Sequence, residues 1–174
     1  MSYSSTSLGR IIKPIVCLCI SGSLVCIFTA CGDNSTGNQV AGDGGLVAST
    51  LLSQPLQYTL TQRGVFQQGE VVPITLTLKN IGSAPLEENV TAMDPSVSVY
   101  KDDTLIWMAF PPGVPVPEYF ARLGLNPGVS ENFEYTWDQK DNEGNFVAAG
   151  NYTIKASFSG NTVTSAVLIQ QPQK

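Results

Sequence analysis

Residues Phe133 to Phe158 read FEYTWDQKDNEGNFVAAGNYTIKASF. Phe133, Tyr135 and Trp137 alternate with Glu134 and Thr136, and Tyr152, Ile154, Ala156 and Phe158 alternate with Thr153, Lys155 and Ser157. A period of two marks a strand with one buried face. Between the two runs stand Asp141-Asn142-Glu143-Gly144 and Ala149-Gly150. Asp and Asn bond to their own local backbone, and Gly takes positive φ without steric cost, so this composition turns a chain. Trp137 and Tyr152 then stand at the ends of two inward-facing stripes.

The carboxylates Asp138, Asp141 and Glu143 admit three readings: turn, calcium or catalysis. A calcium loop of the EF type needs oxygen ligands at its first, third and fifth positions. Counted from Asp138 the third is Lys140, which breaks the pattern. A catalytic pair of carboxylates needs a cleft and two contrasting environments. A surface hairpin supplies neither, and the turn is the expected role.

Working outward, the same alternation recurs. Leu56, Tyr58 and Leu60 share a face, as do Val72, Ile74, Leu76 and Leu78 in VVPITLTLKN. Pro73 lacks an N–H and belongs at a strand start or an edge. Val97 and Val99, the run TLIWMAF from Thr104, and Val163 to Ile169 supply further strands. Gly64 to Gly69, Asn80 to Ser83, Lys101 to Asp103 and Ser159 to Asn161 read as turns. Seven or eight short strands with no amphipathic helix predict an all-β chain, an antiparallel immunoglobulin-like β-sandwich.

Composition narrows the chemistry. The chain of 174 residues has no histidine, and its four cysteines (Cys17, Cys19, Cys26 and Cys31) all lie in the apolar N-terminal stretch or at its edge. The folded part therefore lacks the groups for Ser-His-Asp or Cys-His nucleophilic catalysis, for His/Cys zinc sites and for a disulfide framework. Acid-base chemistry by carboxylates, Lys or Tyr stays open, but the expectation is a chain that is not an enzyme and uses no cofactor. Without residues 1–30, which hold Arg10 and Lys13 and no acid, seven basic residues face fourteen acidic ones, a net charge of −7. Such a surface repels phosphate backbones, so no nucleic-acid partner is expected.

The first 30 residues have the features of a secretory signal: a positive start at Arg10 and Lys13, an apolar run from Ile15, and small residues before a break. Phe28-Thr29-Ala30-Cys31 resembles the lipobox of bacterial lipoproteins. That resemblance implies cleavage before Cys31 and acyl chains on it, hence a membrane partner and a place in the bacterial cell envelope, facing periplasm or exterior. An ordinary signal peptide or an uncleaved anchor is the other reading. The stretch GDNSTGNQVAGDGG, Gly32 to Gly45, is too polar to bury itself and reads as a tether. The expected organisation is signal peptide 1–30, lipidated Cys31 and linker 31–55, sandwich domain 56–171 and tail 172–174. Within the linker, Leu46 to Pro55 is left open between docking on the domain and staying free of it.

Trp137-Asp138, Asp141, Gly144, Val147 and Gly150-Asn151-Tyr152-Thr153-Ile154 resemble the closing strand pair of the BsuPI-type intracellular proteinase inhibitors. Earlier features agree in order: ITLTLKNIGSAPL, SVSVYKDDTLIW and LNPGVSENFEYTWD. The resemblance covers roughly residues 58 to 169. It implies an immunoglobulin-like sandwich and, as activity, inhibition of a serine protease. Similar endings occur in the immunoglobulin-like modules of the flagellar hook-capping protein and of secreted surface proteins.

One region departs from plain alternation. Ile106, Trp107, Met108 and Phe110 put apolar groups on both strand faces, and Pro111, Pro112, Pro115 and Pro117 follow, leading to Tyr119, Phe120 and Arg122. A stiff segment loses little entropy on binding, and Trp, Tyr, Phe and Arg dominate interface hot spots. Trp107, Phe110, Tyr119, Phe120 and Arg122 are therefore the candidate partner-binding residues, with Pro115 to Leu123 as the segment that would enter a protease cleft. The competing reading folds this segment over the open end of the sandwich, with Tyr119, Phe120 and Leu123 as satellite core. Two functions follow: a lipid-anchored binding module, in its most specific form a proteinase inhibitor, or a structural lipoprotein that scaffolds envelope components.

Overall fold

The computed structural model describes residues 44–91, 93–111, 113 and 120–172. The signal peptide, Cys31, the tether as far as Asp43, Pro112, Pro115, Pro117 and Tyr119 lie outside the described residues, as does the side chain of Phe120. Among the described residues there are eleven strands and no helix: β1 (Leu46–Ser53), β2 (Leu56–Arg63), β3 (Val65–Gln67), β4 (Val72–Asn80), β5 (Leu86–Thr91), β6 (Ser96–Lys101), β7 (Thr104–Met108), β8 (Phe120–Leu125), β9 (Ser130–Trp137), β10 (Gly150–Phe158) and β11 (Asn161–Gln170).

One sheet has the order β1-β2-β4-β9 and a second the order β3-β11-β10-β6-β7, while β5 and β8 form a separate two-stranded ribbon. Every pairing is antiparallel except β3 with β11. The chain passes from the first sheet at the end of β2 to the second at β3 through Gly64, returns to the first for β4 and β9, and supplies the hairpins β6-β7 and β10-β11 to the second. That strand order is an immunoglobulin-like sandwich. Its core is the set of inward stripes read from the sequence: Tyr58 and Leu60, Ile74, Leu76 and Leu78, Val97 and Val99, Ile154 and Ala156, and Val163 and Val167 are all buried. Pro73 sits second in β4, where the ladder with β2 has already ended at Thr61 and Thr75, so no hydrogen bond to β2 is lost.

The strand count exceeds the expected seven or eight, and each addition has a cause. β1 removes Leu46–Ser53 from the expected linker: Val47, Ser49 and Leu51 face inward, and the serine hides the apolar period. β3 lies inside the stretch Gly64 to Gly69 expected to be only a turn; its three residues form a strand because β11 pairs with them. β5 carries Glu88 at a position in phase with inward-facing Val90, which erases its alternation. β8 follows the prolines, where the sequence reads as an extended segment outside the sheets, yet Phe120–Leu125 pairs along its length with β5.

The two ends of the sandwich differ. At one end Asn80 holds the start of the ribbon, donating from Nδ2 to Leu125 O at 2.8 Å and to Ala84 O at 2.9 Å. The ribbon runs from there toward the start of β6, with Val90, Leu123 and Leu125 in the core cluster. At the other end lie the start of β1, the end of β2 and the connection from Trp137 to Gly150.

Candidate functional site

The 138–149 connection is built by its own polar groups. Asp141 Oδ1 accepts from Glu143 N at 3.0 Å and from Asn145 N at 2.8 Å, and Oδ2 accepts from Asn145 Nδ2 at 3.2 Å. Gly144, at φ 89°, closes the turn by donating to Asp141 O at 3.0 Å. The N–H of Asn145 first, then the other donors, hold the Asp141 carboxyl below its usual range. Its lone pairs serve the turn, as expected. Among the described residues no group of three or more carboxylates, cysteines or histidines is placed to hold a metal.

The same turn closes a sheet edge. Asn142 N donates to Ile106 O at 3.0 Å, and Met108 N donates to Asn142 Oδ1 at 3.1 Å. One residue thus occupies the outer edge of β7, the last strand of the five-stranded sheet. Nearby, Gln139 is fully buried at φ 59°; its side chain donates to Gln67 O and accepts from Gly69 N, both at 2.8 Å. Neither Gln139 nor Asn142 carries a sequence signal beyond its place in a turn-rich stretch, because their partners are about 35 to 70 residues away.

Of the candidate partner-binding residues, the three whose side chains are described lie on separate elements: Trp107 in β7, Phe110 just beyond it and Arg122 in β8. Trp107 pairs with Val99, faces inward and packs half-buried on the core. Phe110 is half-buried just beyond β7. A register shift at Val99/Tyr100 is what breaks the alternation of this strand. Phe120 opens β8, paired with Thr91. Arg122 pairs with Asn89 in the ladder and is exposed, its Nη1 donating to Glu87 Oε2 at 3.1 Å. Residues 120–123 are therefore strand, not the free loop expected of Pro115 to Leu123, because β5 offers them backbone partners. Leu123 is buried, as the end-covering reading requires. Trp107 and Arg122 belong to different sheets.

A shallow groove of about 310 Å³ is lined by Gly44, Arg63, Val65, Phe66, Gln67, Glu70 and Gln170. The Arg63 guanidinium lies 4.3 Å from the centre of the Phe66 ring and is ion-paired with Glu70. Glu70 also accepts from Gln67 N at 3.0 Å, the main reason its carboxyl is held below the usual range. Both charges are answered within the protein, so the groove offers a ligand no unpaired ion.

No protein-family model and no curated protein matches the chain. Solved structures similar to it include a β-glucosidase from Listeria innocua, at 13% identity and a TM-score of 0.39, covering 66% of this chain and 16% of that one. A β-glucosidase from Erythrobacter marinus aligns at 14% identity and a TM-score of 0.38, covering 65% of this chain and 16% of that one. The CARDB domain of a Pyrococcus furiosus protein, in complex with di-metal ions, aligns at 15% identity and a TM-score of 0.39, covering 66% of this chain and 90% of that one. The chain thus spans about one sixth of the glucosidase chains it aligns with.

Proposed function

We propose that this chain is a binding module held in the bacterial cell envelope by acyl chains on Cys31. The observation that carries the reading is the juxtaposition in the chain: a signal core ends in Ala30-Cys31, and fifteen residues after Cys31 the first strand of a self-contained sandwich begins at Leu46. Several acyl chains make a stable anchor where one is marginal, at roughly 0.8 kcal/mol per buried methylene. The test is metabolic labelling with a fatty-acid analogue. Wild type takes the label and Cys31→Ser does not; equal label on both overturns the anchor.

In its finer form, supported by the resemblance of the closing strands to BsuPI-type inhibitors, the partner is a serine protease. The second reading, a scaffold that inhibits nothing, draws on Trp107 packed against the core and Arg122 bonded to Glu87. Titrating trypsin-, chymotrypsin- and subtilisin-type proteases with the domain separates the two. No inhibition at micromolar domain ends the inhibitor form and leaves the scaffold.

A further inference from the structure

We infer that the end of the sandwich from which the tether leaves rests on the lipid surface, with Phe146, Val71 and Leu46 as its apolar contacts. This rests on the lipid-anchor reading and adds an orientation to it.

Three of the four most exposed large apolar side chains among the described residues are at this end: Leu46 at 74%, Phe146 at 64% and Val71 at 51%. Hydrogen bonds and pairings join them into one cluster of loops. Leu46 pairs with Arg63, and Arg63 is ion-paired with Glu70, next to Val71. Gly69 N donates to Gln139 Oε1, and Gln68 Nε2 donates to Val147 O at 2.8 Å, beside Phe146. An exposed apolar cluster marks an interaction surface. Lys140 lies over the Phe146 ring at 5.1 Å, an arrangement in which the ring enters lipid while the ammonium stays at the headgroups.

The chain itself selects the occupant. Gly44, where the described domain begins, lines the groove beside Arg63 and Glu70 at this same end. Cys31 to Asp43 is thirteen residues. At about 3.3–3.6 Å per residue, such a segment reaches no further than roughly 45 Å even when fully extended. An acylated Cys31 therefore holds this end near the bilayer at high effective concentration, so weak apolar contacts suffice to orient it. Glu70, Asp102, Asp103, Asp138, Asp141 and Glu143 share the end with Arg63, Lys101 and Lys140. The contact is consequently apolar rather than electrostatic: it forms on phosphocholine lipid, and anionic lipid does not strengthen it.

The experiment places a reporter at each end. Phe146→Trp is compared with Met93→Trp, whose residue is 43% exposed in the connection from the ribbon to β6. Both variants carry the same background from Trp107 and Trp137. The chain from Cys31 to Lys174 retains every described strand, and Cys31 is its only thiol, so a maleimide phospholipid couples it to phosphocholine vesicles whether or not cells acylate it. With brominated phosphocholine, emission of the 146 reporter shifts to the blue and is quenched, and emission of the 93 reporter is unchanged. Equal quenching of the two, or none, overturns the orientation. Flotation of the uncoupled full-length protein from cells with vesicles reports separately on the anchor: failure to float there, with 146-selective quenching in the coupled chain, removes natural acylation and leaves the apolar end intact.

Discussion

Trp137 and Tyr152 meet edge to face, with ring centroids 5.4 Å apart and planes inclined at 61°. They bracket the 138–149 connection, and each ring also bonds to a carbonyl within it. Trp137 Nε1 donates to Lys140 O at 2.8 Å, and Tyr152 OH donates to Ala148 O at 2.6 Å. The second bond reaches back four residues from the start of β10, the geometry of a tyrosine corner. Two aromatic side chains thus fix where the chain leaves one sheet and enters the other.

Trp137 is fully buried, so Trp137→Ala destabilises the domain by about 3–5 kcal/mol through lost contact and a cavity. Tyr152→Phe removes only the hydroxyl bond and costs about 1 kcal/mol. Because the rings touch, Trp137→Ala combined with Tyr152→Ala departs from additivity by about 0.5–1.5 kcal/mol. Urea unfolding of the two single variants and the double variant measures this; additivity to within a few tenths would show that the rings are neighbours without coupling.

Asn80 is the second fixed point. It is fully buried, and all its polar atoms are used: Nδ2 serves Ala84 O and Leu125 O, Oδ1 accepts from Gly82 N at 2.8 Å, and its backbone bonds to Gly128 and Val129. Asn80→Leu leaves several buried groups unsatisfied and costs on the order of 3 kcal/mol. A Cβ at Gly82 would stand 2.9 Å from Pro55 Cβ and 3.2 Å from Asn80 Oδ1, so Gly82→Ala disturbs the same junction. Hydrogen exchange distinguishes the outcomes: both variants release β5 and β8 before β10 and β11. Uniform loss of protection would show that the ribbon is not a separate unit.

Strands β2, β4, β6, β9, β10 and β11 are legible because alternation of Leu, Ile, Val and aromatic residues is a local signal, one that β11 keeps despite buried Ser165; β7 is legible only as an apolar run. The turns at Asn80 and Asp141 were legible because Asx bonding is local too. What escaped was non-local. Ser49 within β1 and Glu88 within β5 disguise the stripe, and β3 becomes a strand only through the distant β11. Arg122, read as a free binding residue after four prolines, is answered by Glu87, 35 residues earlier. Asn142 looked like one more turn residue, and its bonds to β7 depend on a contact that spacing does not encode.

The Asp141 carboxyl gives a pH signature. Its pKa is lowered on folding, so the charged form is favoured in the native state. Its contribution is fully present above the unfolded value of about 3.9 and is lost as pH falls through the lower folded value. Asp141→Asn keeps one oxygen facing Glu143 N and Asn145 N but carries no charge and loses the bond from Asn145 Nδ2, so it is slightly less stable than wild type at pH 7 and flattens the acid limb of melting temperature against pH. An acid limb as steep in the variant as in wild type would assign it to Glu70 or another carboxyl. Addition of calcium leaves both proteins unchanged; a rise in wild type alone would show that the turn binds the ion.

The last prediction concerns the edge that Asn142 covers. An edge strand with unpaired backbone invites a second strand, and proteins block this with charge, proline, bulges or a covering loop. β7 contains neither charge nor proline, and the residues Leu105 to Met108 are all apolar. Its register shift against β6 bends it, but the Ile106 carbonyl and the Met108 N–H still point outward, and Asn142 answers both. Asn142→Ala keeps the bond to Ile106 and frees Met108 N, at a cost of about 0.5–1.5 kcal/mol. Asn142→Pro removes both bonds. In sedimentation velocity the average mass rises with concentration more steeply in the order wild type, alanine, proline. Asn142→Asp retains an acceptor for Met108 and returns toward wild type. If all four sediment alike, the bend at Val99/Tyr100 protects the edge by itself. If aspartate associates as strongly as alanine, loss of the Met108 bond is not what opens β7.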